Sequence, residues 1–314
     1  MSVSVPSALS QWGLAEAHAE FVAQRENEVW KVVQGPDAYA LRFHRPGYRS
    51  DAELISELAW MSMLAVNGLR VPRPVPCSDG AFLGQAGGRR VSLLTWLDGA
   101  PIGAVGHLSD GADPRRLCRQ IGRAMAELHD RTDAWEPPEG FTRPDWRAEG
   151  LLGDSPLWGR FWAHPDLETT ERDLLLRVRA HARRDLQRLG ETLDRGLIHA
   201  DLLAENILAD GAQIAFIDFD DAAWGYRDFE LATLLLKFRD RPYFAEMRAG
   251  LCEGYARRRA VSPETLDFML LLRALTYPGW IAARMDEPGA TERSRRAIAT
   301  ALTLANDYLE GTPR

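Results

Sequence analysis

The chain is poor in cysteine. Cys77, Cys118 and Cys252 stand far apart, form no CxxC pair and cannot all be joined, which excludes a disulfide framework and a thiolate zinc site. A basic surplus is also missing. The 38 Lys and Arg residues face 45 Asp and Glu, giving a formal net charge of -7 and a pI near 5.6, so no nucleic-acid partner is expected. The local clusters Arg183-Arg184 and Arg257-Arg258-Arg259 lie among helix formers with acidic neighbours and read as solvated helix faces. No apolar run has the length of a bilayer span. Met1 to Trp12 lacks the basic-then-apolar order of a leader, so a cytoplasmic protein with no membrane partner is expected. Internal repeats and low-complexity tracts are absent as well.

What is present is ordinary globular material, with 46% hydrophobic and 26% charged residues in 314, enough for two lobes. The first hundred residues alternate short strand patterns with turns. Glu28 to Val33 and Tyr39 to Phe43 flank the turn signal Gly35-Pro36-Asp37 and read as an antiparallel hairpin. Ser50-Asp51 offers an N-cap to a helix with Leu54, Leu58, Met61 and Leu64 or Ala65 at helical spacing, ending near Asn67-Gly68. The prolines of Val71 to Pro76 make an extended connector, and Gly80 to Gly84 and Arg90 to Trp96 supply further strand-like runs. Beyond Asp98-Gly99 the pattern becomes helical, at Leu117 to His129, Thr169 to Leu189, Phe229 to Phe238 and Leu266 to Arg284. A strand-rich island from Leu197 to Phe219 interrupts it. The Pro-rich stretch Trp135 to Trp146 reads as an irregular loop. The division expected is 1–98 and 99–314.

The island carries the chemistry. Leu197-Ile198-His199-Ala200-Asp201 is followed by Asn206-Ile207-Leu208, a turn at Asp210-Gly211, then Ile214 to Asp218 and Phe219-Asp220. Phosphoryl transfer to an alcohol requires a carboxylate to take or orient the hydroxyl, plus oxygen ligands for magnesium on the triphosphate. Asp201 fits the first role, and Asn206 and Asp218 fit the second. A loop can set Asp201 and Asn206 on one side, with the return through Gly211 bringing Asp218 back beside them. The alternative for each residue alone is a turn hydrogen bond or a strand-end cap.

The ordered set His199-x-Asp201, four residues, Asn206, then Ile217-Asp218-Phe219 resembles the catalytic and metal loops of the aminoglycoside phosphotransferase superfamily. Choline kinases, type II homoserine kinases, hydroxylysine kinases and a bacterial stress-response protein kinase share that resemblance. It implies an α+β, bilobal protein-kinase-like fold with a five-stranded antiparallel N-lobe and a mainly helical C-lobe, using ATP and Mg2+. The family's strand-three lysine corresponds here to Arg42 in Tyr39-Ala40-Leu41-Arg42, with Glu57 on the next helix as its partner and Glu53 as the rival. No GxGxxG lies between Ala23 and Lys31, which again resembles the small-molecule branch. There Arg25, Glu26 and Asn27 are candidates for a turn whose amides touch phosphate. Backbone groups near Thr95 and Leu97 would read the adenine edge, and His199, beside the catalytic Asp201, would brace the loop, with proton transfer as its other reading.

The acceptor is expected to be a small molecule bearing a hydroxyl, such as an amino alcohol, a homoserine-like compound or an amino sugar. Asp220 and Asp221 extend the acidic face and admit a cationic acceptor. Asp228 is an N-cap or a further acid of that face. Tyr277-Pro278-Gly279-Trp280, followed by Arg284, resembles a late helix reaching the acceptor, with core packing as the other reading for both rings. A protein Ser/Thr kinase of the stress-response type is the alternative function, and a silent pseudokinase is disfavoured by the intact Asp201, Asn206 and Asp218.

Overall fold

The computed structural model describes residues 4–24, 26–104 and 106–311. In chain order the first elements are α1 (Val5–Leu9), β1 (His18–Gln24), β2 (Glu28–Gln34), β3 (Asp37–Phe43), α2 (Asp51–Val66), β4 (Pro74–Val75), β5 (Gly84–Ala86), β6 (Arg89–Thr95) and β7 (Ala100–Pro101). Next come β8 (Gly103–Ala104), β9 (His107–Leu108), α3 (Pro114–Asp133), α4 (Ala148–Leu152), α5 (Thr169–Leu189), β10 (Arg195–Ile198), β11 (Ile207–Asp210), β12 (Gln213–Phe216) and β13 (Ala223–Tyr226). The helices α6 (Arg227–Leu236), α7 (Phe244–Tyr255), α8 (Pro263–Ala282) and α9 (Ala290–Glu310) finish the chain. Two compact units result. One is Met1–Pro101 with Arg131–Arg143 and Ile207–Asp220; the other is Ile102–Asp130, Pro144–Asn206 and Asp221–Arg314.

The first unit holds an antiparallel sheet in the order β1-β2-β3-β6-β4, with β5 also on β6. This makes six strands rather than five, because Pro74 and Val75 of the extended connector pair with Leu94 and Leu93. A proline fits there since β4 is an edge, where a missing amide donor costs no ladder bond. One sheet face buries Val32, Leu41, Phe43, Val91 and Leu93 against Ala8 and Leu9. Helix α2 starts in a capping box, in which Ser50 and Glu53 satisfy each other's backbone amides. It buries the expected stripe Leu54, Leu58, Met61 and Leu64, together with Trp60 and Glu57. Trp60 donates its indole N–H to Thr132 Oγ1 at 3.0 Å and meets Phe219 edge-on at 5.2 Å. The hairpin β11–β12 extends through β7 into a separate three-stranded sheet of the same unit.

The second unit is mainly helical. Thr169–Leu189 forms α5 over the span expected, and the periodic stretches around 117–129, 229–238 and 266–284 become α3, α6 and α8. The α8 helix is buried along most of its length, from Leu266 through Thr276 to Ile281, packing against α6 and α9. Strands β10 and β13 pair antiparallel, Arg195 with Tyr226 through Ile198 with Ala223, and so frame the entry to the loop at His199. Among the described residues no helix is long and apolar enough to cross a membrane.

Helices α3 and α7 approach backbone to backbone through three glycines. A Cβ at Gly250 would collide with the Arg115 carbonyl, one at Gly254 with the Arg119 carbonyl, and one at Gly122 with the Leu251 carbonyl. Helical glycine is otherwise unfavourable, so its use here reflects the close crossing. Gly254→Ala should therefore destabilise the protein by about 1–3 kcal/mol, the usual result of overpacking a fixed contact. Thermal and urea unfolding measure it; an unchanged midpoint would mean the helices separate at no cost.

Candidate active site

In the first unit Arg42 leaves β3 toward α2 and donates from Nη2 to Glu57 Oε1 at 2.6 Å, with both side chains buried. Burial alone would lower the Arg42 pKa. The carboxylates of Glu57, Asp220 and Asp218 outweigh it and hold the guanidinium above its ordinary value. For Glu57 burial pushes upward, and Arg42, Arg143 and His44 more than reverse this, keeping it ionised. Glu57 is thus the helix partner of Arg42, while Glu53 is engaged in the capping box and lies 3.6 Å from Arg49.

Arg143, from the irregular loop, lies 4.0 Å from Glu57 Oε2 and donates to the carbonyls of Glu53 at 3.0 Å and Asp220 at 2.5 Å. Arg49 donates to the same Asp220 carbonyl at 3.2 Å. Asp218, two residues past β12, has φ 65°, and Phe219 after it is locked against Trp60. Asp220 is 6% exposed, so its charge acts within this unit on Arg42 and Arg143.

In the second unit the loop after β10 turns through Ala200, whose φ is 67°. Ala200 and Asp218 are the two described non-glycine residues with positive φ, a conformation costing about 1 kcal/mol or more for L-residues and retained where surroundings enforce it. For Ala200 the enforcing group is Glu230 of α6, whose Oε1 accepts the Ala200 N–H at 2.9 Å. Its Oε2 lies 2.6 Å from His129 Nε2, and His129 Nδ1 lies 2.8 Å from the Tyr255 hydroxyl, all fully buried. His199 is buried and its Nδ1 accepts the Asp201 N–H at 3.4 Å, a bracing role.

The Asp201 carboxylate is held from two sides. Asn206 closes a 3-10 turn and donates from Nδ2 to the Asp201 carbonyl at 2.9 Å and to Oδ2 at 3.2 Å. Arg273 of α8 donates from Nη2 to Oδ1 at 3.2 Å and to the Tyr277 hydroxyl at 3.3 Å. With its Nδ2 so engaged, Asn206 retains a carboxamide oxygen as a possible ligand for a hard cation.

The remaining expected residues distribute as follows. Asn27 is buried and accepts the Arg45 N–H at 3.1 Å, fixing the β1–β2 end; Arg25 lies outside the described residues. The Thr95 amide donates to the Arg73 carbonyl at 2.8 Å, leaving its carbonyl rather than its N–H for an adenine edge. Leu97 follows β6 in a half-buried stretch. Tyr277 has Lys237 Nζ 3.7 Å above its ring, and Trp280 has Arg284 at 4.4 Å, so both rings already face cations of the chain. Asp221 is half-buried in the second unit, and Asp228 is pushed up to about 7 by burial and by Asp194.

Four residues of these buried networks escaped the sequence reading: Glu230, His129, Arg143 and Arg273. A signal existed for two of them. Glu230 and Arg273 are single charges inside apolar helical runs, Phe229 to Leu236 and Leu270 to Leu275, where an unpaired charge would be prohibitive. His129 and Arg143 act through partners distant in sequence.

A model of the phosphotransferase enzyme family matches residues 18–268. A homoserine kinase of Brucella abortus (strain S19) is 30% identical over 227 residues, which is 68% of this chain and 62% of that protein's length. The chain therefore spans 62% of the length of the curated relatives it matches. Among solved structures, a microcompartment-associated aminopropanol kinase superposes with a TM-score of 0.83 at 27% identity, covering 98% of both chains. An amicoumacin kinase in complex with AMP-PNP, Ca2+ and Ami shares the fold, with a TM-score of 0.73 and 19% identity over 94% of this chain and 89% of that one.

The Glu230–His129 pair yields a test. Burial raises Glu230 to about 7 and drives His129 well below 6.5. The raised carboxyl adds stability that is lost as pH climbs from 4.5 through 7, whereas neutral His129 adds stability that is lost as pH falls below 6.5. The two slopes oppose, so between 4.5 and 6.5 the pair contributes a plateau. Glu230→Gln should keep the fold, since the amide oxygen can accept the Ala200 N–H and the amide nitrogen can donate to His129. Glu230→Ala should cost about 2–4 kcal/mol, because the Ala200 amide and the imidazole lose their partner. Unfolding curves from pH 4 to 8 check both; equal losses would refute the neutral-pair reading.

Proposed function

Because the chain belongs to the phosphotransferase enzyme family, we propose that it transfers the γ-phosphoryl group of ATP to a hydroxyl of a small molecule. The observation that carries this reading is Asp201, a partly exposed carboxylate fixed on both oxygens in a loop whose turn is enforced by a buried Glu230. A carboxylate so held can orient an alcohol in line and accept its proton. The acceptor oxygen forms a bond to the γ-phosphorus, the bond to the β,γ-bridging oxygen breaks, and ADP leaves with that electron pair.

Arg42, kept charged by Glu57, is the cation we assign to the phosphates. Its planar guanidinium can clamp two oxygens where an ammonium would act as a point charge. Backbone groups of Thr95 and Leu97 are assigned to the adenine edge, and the turn at Asn27 to phosphate. We assign Asn206 and Asp218 as ligands for Mg2+, since carboxamide and carboxylate oxygens are the hard donors that ion takes. Among the described residues no group of three or more His, Cys, Asp or Glu could hold a metal alone, which suits an ion that relies on one or two protein oxygens plus phosphate and water. Bound there, Mg2+ neutralises charge on the transferred group.

For the acceptor we favour an amino alcohol or a homoserine-like compound over an amino sugar, on the similarity to the homoserine and aminopropanol kinases. The rings of Tyr277 and Trp280 contact such a molecule by their edges, since cations of the chain lie over them. We assign the protein to the cytoplasm, where ATP is abundant and its free cysteines stay reduced.

The test incubates the protein with Mg·ATP and, separately, homoserine, 1-amino-2-propanol, choline, an aminoglycoside and a generic protein substrate, following ADP and phosphorylated product. Transfer to a small amino alcohol or homoserine is expected; transfer to the protein substrate alone would replace this reading with the protein-kinase one. Asp201→Asn should leave melting temperature and nucleotide affinity nearly unchanged while lowering turnover by about two to four orders of magnitude. In nucleotide titrations with and without magnesium, Asp218→Ala should abolish the metal-dependent gain and Asn206→Ala should weaken it. Unchanged metal dependence in both variants would remove them as ligands.

A further inference from the structure

Arg273 is an expensive residue for the place it occupies. It sits in the middle of α8, fully buried, between Leu272 and Ala274. Its guanidinium carbon lies 4.6 Å from the Trp158 ring centroid, 4.9 Å from that of Tyr277 and 5.5 Å from that of Phe229. Among the described residues Nε and Nη1 find no hydrogen-bond acceptor, and Nη2 bonds to Asp201 Oδ1 and the Tyr277 hydroxyl. Three aromatic faces therefore stand in for water around a cation that directs one nitrogen at one carboxylate. An apolar residue of similar volume would fill this box without desolvating a charge. The plane of the guanidinium also explains why arginine is used, because it can stack on several rings at once while an ammonium cannot.

Resting on the phosphotransferase reading, we propose that Arg273 is a positioning residue that fixes the rotamer of Asp201, so that its carboxylate meets the acceptor hydroxyl in one orientation. Asn206 holds Oδ2 from the loop itself at 3.2 Å, and Arg273 holds Oδ1 from a helix at 3.2 Å, so the two carboxylate oxygens are fixed from separate elements. The ring box in turn denies Arg273 alternative positions. Trp158 is itself packed edge-on against Trp146 at 4.9 Å, so the box has a rigid wall.

The experiment compares Arg273→Met and Arg273→Lys with wild type, each alone and in the Asp201→Asn background. Readouts are kcat and KM for ATP and for homoserine or 1-amino-2-propanol, melting temperature, and the Asp201 side chain in crystals. Methionine suits the aromatic box, so Arg273→Met should fold. It should lower kcat about 100-fold, the cost of a misplaced reacting group, with KM for ATP nearly unchanged. Arg273→Lys should recover part of that loss. In the Asp201→Asn background Arg273→Met should cost nothing further, because the residue acts through Asp201. Asp201 should occupy more than one rotamer in Arg273→Met crystals. The proposal is overturned by wild-type kcat in Arg273→Met, by a full additional loss in the double variant, or by an unchanged single Asp201 rotamer. If no acceptor is turned over by the wild type, the phosphotransferase reading fails on its own, and the crystal comparison still decides the role of Arg273.

Discussion

The contact on which the shape of the loop at Asp201 depends is the bond between the buried Glu230 carboxyl and the amide of Ala200. Ala200 is an L-residue in the left-handed region, a conformation it would leave if the amide had a better partner elsewhere. Glu230 supplies that partner from inside α6. Its own desolvation is tolerable because burial raises the carboxyl to about 7 and His129 and Tyr255 complete a hydrogen-bonded chain beside it. The turn at Ala200 then sets the direction of Asp201. A buried network that looks like core polarity is therefore the reason the loop has one shape.

The first unit follows the same rule with opposite charges. Arg42 and Glu57 would each be costly alone at such burial; the carboxylates of Glu57, Asp220 and Asp218 hold Arg42 charged, and Arg42 and Arg143 in turn hold Glu57 ionised. Of the 38 Lys and Arg residues in the chain only Lys31 and Lys237 are lysines. Arginine at position 42 thus conforms to the chain's general choice. At a buried site that choice has a consequence, because a guanidinium cannot lose its proton and remains a cation at the cost of a larger and flatter footprint.

How much of this was legible in the sequence depended on the range of the interaction. The hairpin at Gly35, the N-cap at Ser50 and the span of α5 could be read, because each is encoded by residues a few positions apart; the ordered set Asp201, Asn206 and Asp218 was visible as a motif, and its assignment belongs to the proposed function. The sixth strand was missed because two residues beside prolines carry no periodicity; β4 exists only by virtue of its partner β6. Glu230 reaches Ala200 across 30 positions and Arg273 reaches Asp201 across 72, separations at which no local pattern survives. Tyr277 and Trp280 stood out as rings, and the cations over their faces, Lys237 and Arg284, come into view only once α8 is placed in its unit.

Asn206 ties the loop backbone to the Asp201 carboxylate through one short side chain. Its Nδ2 donates to the Asp201 carboxylate, and under the proposed function its Oδ1 would be offered to Mg2+, so one carboxamide would serve two electrostatically opposite neighbours. Aspartate at this position would set carboxylate against carboxylate and release Asp201 from the loop side. Lysine or arginine would hold Asp201 and offer no oxygen. Glutamine has the right groups on a longer stem, whereas the 3-10 turn Ala204–Asn206 fixes a reach that suits the shorter side chain. Under the proposed function, holding Asp201 with one end and offering an oxygen with the other calls for a short primary amide, and the 3-10 turn sets the reach of that side chain.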